Sequence, residues 1–147
     1  MPRTSLRYAH DEFESKVSNL LDSLQIRPNN KNFSLYTLAF IHRSVLNETS
    51  GNYPESNERL EYLGDAVIEL VITQALFEHF PDKLEGELTD IRSALVRGRN
   101  LAEIARKLRL SDAIQVSRGE LQAGGQDNPY ILANTFEALI GAMYLDQ

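Results

Sequence analysis

The chain has 147 residues, 42% of them apolar and 24% charged, which suits one domain with a real core. The absence of cysteine excludes disulfides and thiolate metal sites, and no run of about 18 uncharged apolar residues offers a membrane-spanning helix. A net charge of −6 counts against a simple basic nucleic-acid-binding module, and "MPRTSLRYAHDEFESK" lacks the apolar core of a signal peptide, so the expected compartment is the cytoplasm.

Helical periodicity dominates and predicts an all-α fold, one domain over 1–147. Residues 11–24 space Phe13, Val17, Leu20, Leu21 and Leu24 as one helical stripe. "SLYTLAFIHRSVLNE" (34–48) predicts a second helix with Ser34 as its N-cap. "TSGNYPES" (49–56) is a loop by composition. A long helix follows from 57 to near Phe80, with Ser56 or Asn57 at its cap and Pro81 interrupting it. "EGELTDIRSALVRG" (85–98) predicts a helix ending near Gly98, and 99–110 a short amphipathic one with Leu101, Ile104, Ala105 and Leu108 on a stripe. "SRGELQAGGQDNP" (117–129) is a glycine-containing loop. The last helix spans 129–146, with Pro129 in its first turn.

The long helix carries Glu58, Glu61 and Asp65 at i, i+3 and i+7, one face that continues as Ile68 and Ile72. The last helix is apolar nearly all round, the pattern of a buried helix. Its polar exceptions, Asn134 and Glu137, share a face with Gly141, where another backbone can approach closely. A buried carboxylate is costly unless paired or bound to a metal. Glu61, Asp65, Asn134 and Glu137 on two facing helices form an all-oxygen set suited to Mg²⁺ or Mn²⁺ rather than Zn²⁺. A plainer reading stays open for Glu58 and Glu61, as first-turn acids favoured by the helix dipole. Glu61 also has Arg92 and Arg97 as possible ion-pair partners. Asp65 and Glu137 are expected among apolar neighbours deep in their helices. Between Arg92 and Arg109 six basic residues (Arg92, Arg97, Arg99, Arg106, Lys107 and Arg109) face one acid, Glu103. The segment reads either as a solvated helix face or as the cationic side of a site holding metal and anion together.

"NERLEYLGDAV" (57–67) resembles the signature of the ribonuclease III family. "LAFIHRSVLNE" (38–48), "EGELTDIRSALVRGRNLAEIA" (85–105), "GELQAGG" (119–125) and "ILANTFEALIGAMYLD" (131–146) are similar to its other motifs, in order, so the resemblance covers about 15–147. It implies a catalytic domain of the bacterial type: an all-α, Mg²⁺-dependent endonuclease, with Mn²⁺ as a substitute, that cuts double-stranded RNA as a homodimer with no membrane partner. Each subunit's acidic site cuts one strand, which leaves staggered ends with 3′ overhangs. By the resemblance, Glu61, Asp65, Asn134 and Glu137 fall on the metal-binding catalytic positions, and Glu58 and Glu85 on accessory acids. Tyr62, where the family most often has Phe, falls on the aromatic that enters a socket of the partner. Arg92, Arg97 and Arg99 are assigned to phosphate contacts.

Two departures stand out. Asn134 occupies a position where the family more often has Asp, so one ligand is an uncharged amide oxygen. The sequence also ends at Gln147 without the double-stranded-RNA-binding domain of bacterial relatives, so weaker and more salt-sensitive RNA binding is expected. His42 is expected to be a packed structural residue, and His10 and His79 carry no pattern. The competing readings are a catalytically impaired RNA-binding scaffold and a dimeric interaction domain whose acids form salt bridges.

Overall fold

A computed structural model describes residues 2–29, 31–48 and 53–147. Eight α-helices are present among them: α1 (Pro2–Ser23), α2 (Phe33–Ala39), α3 (Ser44–Glu48), α4 (Glu58–His79), α5 (Glu85–Leu95), α6 (Gly98–Lys107), α7 (Arg118–Gln122) and α8 (Pro129–Asp146). Single 3₁₀ turns at Leu110–Asp112 and Gly125–Asp127 join them. The described residues form no strand, only an isolated bridge between Ile41 and Gln115. No helix is long and apolar enough to cross a membrane among the described residues. The all-α fold read from periodicity is the fold observed.

The last helix is the axis of the molecule. Pro129 opens α8, and the Asn128 side chain caps it by accepting from the Tyr130 N–H at 2.9 Å. Ile131, Leu132, Ala138, Leu139 and Ala142 are buried, with α2, α4 and α6 packed around them. Phe13, Val17, Leu20 and Leu21 bring α1 into the same core along the expected stripe.

The α4–α8 crossing is set by two glycines. A Cβ on Gly64 would collide with the Glu137 carbonyl, and one on Gly141 with the Leu60 carbonyl. The two backbones therefore pack directly against each other, as any side chain at these points would prevent. Gly141 stood out in the sequence. Gly64, inside the acidic signature, did not.

Asp146, in the last turn of α8, is buried and ties the end of the helix to the segment before α2. Its carboxylate accepts from the Asn29 backbone N–H, from Asn32 Nδ2 at 2.8 Å and from the Tyr36 hydroxyl at 2.9 Å. Its backbone carbonyl accepts from Asn29 Nδ2 at 2.7 Å. These bonds, led by the one from Asn32, hold the carboxyl below its ordinary range against the opposing effect of burial. Burial and the neighbouring carboxylate push the Tyr36 hydroxyl up to about 12.

The observed helices correct several expectations. The first helix begins at Pro2, well before 11. The segment 34–48 is two helices, because the backbone at its centre is engaged elsewhere. The His42 N–H donates to the Gln115 carbonyl at 3.0 Å, and the Gln115 N–H to the Phe40 carbonyl at 2.8 Å. Asn57 adds its own N–H to the Ile41 carbonyl and its side-chain amide to the Ala39 carbonyl. Ser34 lies inside α2, not at its cap. Gly98 opens α6 instead of closing α5, because Arg97 is extended. The stretch 117–129 contains α7, whose N-cap Ser117 accepts from the Glu120 N–H at 3.1 Å. Of the loop expected at 49–56, residues 49–52 lie outside the described residues.

Candidate active site

The glycine crossing lays the first two turns of α4 beside the middle of α8. Glu61 lies one turn before Asp65 on α4, and Glu137 is the residue whose carbonyl abuts Gly64. Glu61 and Glu137 are half-buried. Burial pushes the Glu137 carboxyl up to about 7, and the charges of Asp65 and then Glu61 add to it. Glu61 is raised for the same reasons: burial first, then Glu58 and Asp65, with the Arg43 guanidinium opposing. The three carboxylates thus share one electrostatic site drawn from two helices.

Asp65 corrects an expectation. It is exposed, not sunk among apolar neighbours. α8 packs on the Leu60, Gly64 and Ile68 side of α4, and Asp65 lies about 100° around from Gly64, at the open rim. Among the described residues no three His, Cys, Asp or Glu side chains converge closely enough to hold one ion as they stand. Like charges at such separation favour spreading. The donor chemistry nonetheless fits a hard divalent cation. Every group is an oxygen ligand, no thiolate or imidazole joins them, and mutual repulsion is the cost that a cation would relieve.

Asn134 lies half-buried one turn before Glu137 on the same face of α8, and its amide makes no hydrogen bond among the described residues. Glu58 is exposed and held at the edge of the cluster. It accepts from Ser56 Oγ at 2.9 Å and pairs with Arg43 at 3.6 Å. Glu61 has no ion pair with Arg92 or Arg97 among the described residues. Arg92 instead ties α5 to α4, through Glu69 at 3.3 Å and Thr73 Oγ1 at 3.0 Å. Arg97 and Arg99 are exposed, with Arg99 paired to Glu103 one turn on. Glu85 does not join the acids. It opens α5, accepts from Thr89 Oγ1 at 2.9 Å and lines a groove of about 730 Å³ between α4 and α5 with Thr73, Phe77, Leu88 and Arg92.

Tyr62 is 84% exposed. It begins a stripe on α4 (Tyr62, Ala66, Leu70, Thr73 and Phe77) with helical spacing and an apolar character that solvent does not favour. Val71 beside it and Leu84 at the head of α5 are also exposed. His42 is half-buried, and its Nδ1 is engaged by Ser44 at 2.8 Å, as a structural histidine's would be. Arg43 is the residue that the sequence did not single out; only the fold brings it to the acids.

A family model described as Ribonuclease-III-like matches residues 32–147. The chain belongs to the ribonuclease III family. It is 47% identical over 116 residues to Ribonuclease 3 of Desulforamulus reducens, covering 79% of this chain and 47% of that protein. With Ribonuclease 3 of Staphylococcus epidermidis it is 41% identical over 138 residues, 94% of this chain and 55% of the relative. The chain thus spans about half the length of these family members. Among solved structures, a nuclease domain of ribonuclease III from Campylobacter jejuni, noted for flexibility in a region involved in dimer formation, superposes with a TM-score of 0.76 at 39% identity. That match covers 86% of this chain and 83% of the other.

Proposed function

We propose that this chain is the catalytic domain of a divalent-metal-dependent endoribonuclease, hydrolysing phosphodiesters of double-stranded RNA as a homodimer and leaving staggered ends with 3′ overhangs. The observation that carries the proposal is the α4–α8 crossing, which half-buries Glu61 and Glu137 near enough to Asp65 that its charge adds to the effect of burial in raising both glutamates.

In this reading Glu61, Asp65 and Glu137 hold Mg²⁺, with Mn²⁺ as a substitute, and Asn134 adds an uncharged amide oxygen. What such a cation supplies when bound is a lowered pKa for water and stabilisation of the leaving oxygen. The chain's own residues do the rest. Buried Leu60 and Ile68 back the carboxylates with dry surface, so that charge interactions at the site are weakly screened. Glu58, steadied by Arg43 and Ser56, adds negative potential without being a ligand. The exposed stripe from Tyr62 to Phe77 supports the homodimer. Tyr62 of one copy would enter the α4–α5 groove of the other, lined by Phe77, Phe80 and Leu88.

The test is incubation of the chain with a long RNA duplex in Mg²⁺ and in EDTA. Shortening of the duplex in Mg²⁺ only is expected. Binding without cutting in both would overturn the catalytic reading in favour of an impaired RNA-binding scaffold.

A further inference from the structure

A second concave surface lies beside the acid cluster. It is a groove of about 690 Å³ lined by His42, Arg43, Ser44, Asn47, Glu120 and Tyr130, among others. Arg43 joins the two. Its guanidinium pairs with Glu58 at 3.6 Å and acts on Glu61, yet its side chain is 71% exposed. From α8 the connection is a helical stripe. Tyr130, Asn134, Glu137 and Gly141 follow one another at i, i+4, i+7 and i+11, so Tyr130 lies on the catalytic face, about 10 Å along the axis from Glu137. The groove is therefore the next stretch of the same surface.

Its chemistry differs from that of the acids. Arg43 supplies a cation, and its contact with Glu58 is long enough to be exchanged for a better partner. Tyr130 supplies an aromatic face, 81% exposed at the start of the last helix. His42 supplies a directed donor. The Ser44 N–H donates to His42 Nδ1 at 3.3 Å, and the Ser44 hydroxyl, which accepts from the Ser117 N–H at 2.9 Å, contacts the same nitrogen at 2.8 Å. Nδ1 is the acceptor, which leaves the proton on Nε2. Burial holds the imidazole below its usual range and favours the neutral ring. The groove's one acid, Glu120, has its side chain laid against Gly125.

We propose that this groove is a strand-tracking surface that takes the ribose–phosphate backbone next to the phosphodiester being cut, with Arg43 on a phosphate and Tyr130 packed on the adjoining sugar. A cation, a neutral donor and an exposed aromatic ring suit a sugar–phosphate chain. An isolated anion gains little from the ring, and an apolar peptide little from the cation. The proposal rests on the ribonuclease reading above, and it makes Arg43 and Tyr130 substrate-positioning residues.

The test uses the full 147-residue chain and one short RNA duplex. KM is measured in Mg²⁺ over a series of KCl concentrations, and duplex binding by fluorescence anisotropy in EDTA at low salt. Arg43→Gln is expected to raise KM about tenfold and to reduce the salt slope of log KM by about one, the mark of one lost phosphate contact. Arg43→Lys should keep the slope. Tyr130→Ala should raise KM about fivefold with the slope unchanged, because stacking carries no counterion term. Thermal melting checks that each variant folds; both side chains are exposed, so folding should be intact. If folded Arg43→Gln and Tyr130→Ala keep the parent KM and slope while the parent chain cuts the duplex, this proposal is wrong and the ribonuclease reading stands. If the parent chain neither binds nor cuts the duplex, the ribonuclease reading itself fails and this proposal goes with it.

Discussion

Glu137 holds a proton that an unfolded chain gives up much earlier. A free carboxyl of its kind titrates near 4.5, and burial beside Asp65 and Glu61 moves the folded one to about 7. The folded chain therefore binds the extra proton between these values, so stability falls as pH rises across them. This contribution is fully present below pH 4.5 and is lost as pH rises through about 7. The melting temperature in EDTA is expected to fall across that window, and Glu137→Gln should flatten the fall. An unchanged pH profile in the variant would show that the cluster lacks this coupling. Asn134 sets the opposite demand, since an amide brings no charge to a cation. Asn134→Asp should lower the Mg²⁺ concentration needed for half-maximal cleavage, and superimposable titrations would remove the charge argument. Thr135, next to it, buries a hydroxyl with no hydrogen-bond partner among the described residues. Thr135→Val keeps the shape and drops that cost, so urea unfolding should show a gain of about 1 kcal/mol. The acids themselves were legible in the sequence, because charge at helical spacing in an apolar helix is conspicuous. The exposure of Asp65 was not, since spacing tells which residues share a face and not where the neighbouring helix ends.

At the scale of the helix pair, the site depends on two missing side chains. Gly64 and Gly141 let α4 and α8 meet backbone to backbone, which puts carboxylates from separate helices into one electrostatic site. Gly64→Ala drives a methyl into the Glu137 carbonyl, a contact with a rigid group that can yield only by moving a helix. A loss of about 1–3 kcal/mol is expected from overpacking, read as a lower urea midpoint, with activity falling further than stability because Glu137 itself is displaced. Activity lost only in proportion to the unfolded fraction would sever the crossing from the site. The helices were legible where the apolar period was long, as in α4 and α8. The break inside 34–48 was hidden, because it is caused by Gln115 and Asn57, residues distant in sequence that take up backbone groups at Ala39–His42. α7 was hidden for a related reason. Its five residues are held by the Ser117 cap and by the Glu48 carboxylate, which accepts from the Arg118 N–H at 2.9 Å, and not by an apolar stripe.

At the scale of the whole molecule, α4 carries an exposed apolar stripe that nothing among the described residues covers. A second copy is the occupant that the proposed function requires, and Phe77, 72% exposed, lies both on the stripe and in the adjoining groove. Phe77→Asp should shift sedimentation from the mass of two chains to that of one at micromolar concentration without lowering the helical content. A parent chain that sediments as a single copy at all concentrations would refute the dimer. The fold class was legible from periodicity, and the family from motif order. The groove beside Arg43 was not, because its walls come from the start of α3, from α7 and from the first turn of α8, which only the folded chain brings together. The Asp146 anchor has a consequence for the order in which the protein is made. Asn29, Asn32 and Tyr36 bond to a residue 110 to 117 positions later. At a synthesis rate of about 5–20 residues per second, these residues are made roughly 5–20 s before their anchor. During that interval the Tyr36 hydroxyl, buried in the finished fold, has no Asp146 carboxylate to accept from it, so the final anchoring of α2 is an event timed by translation of the last turn of α8.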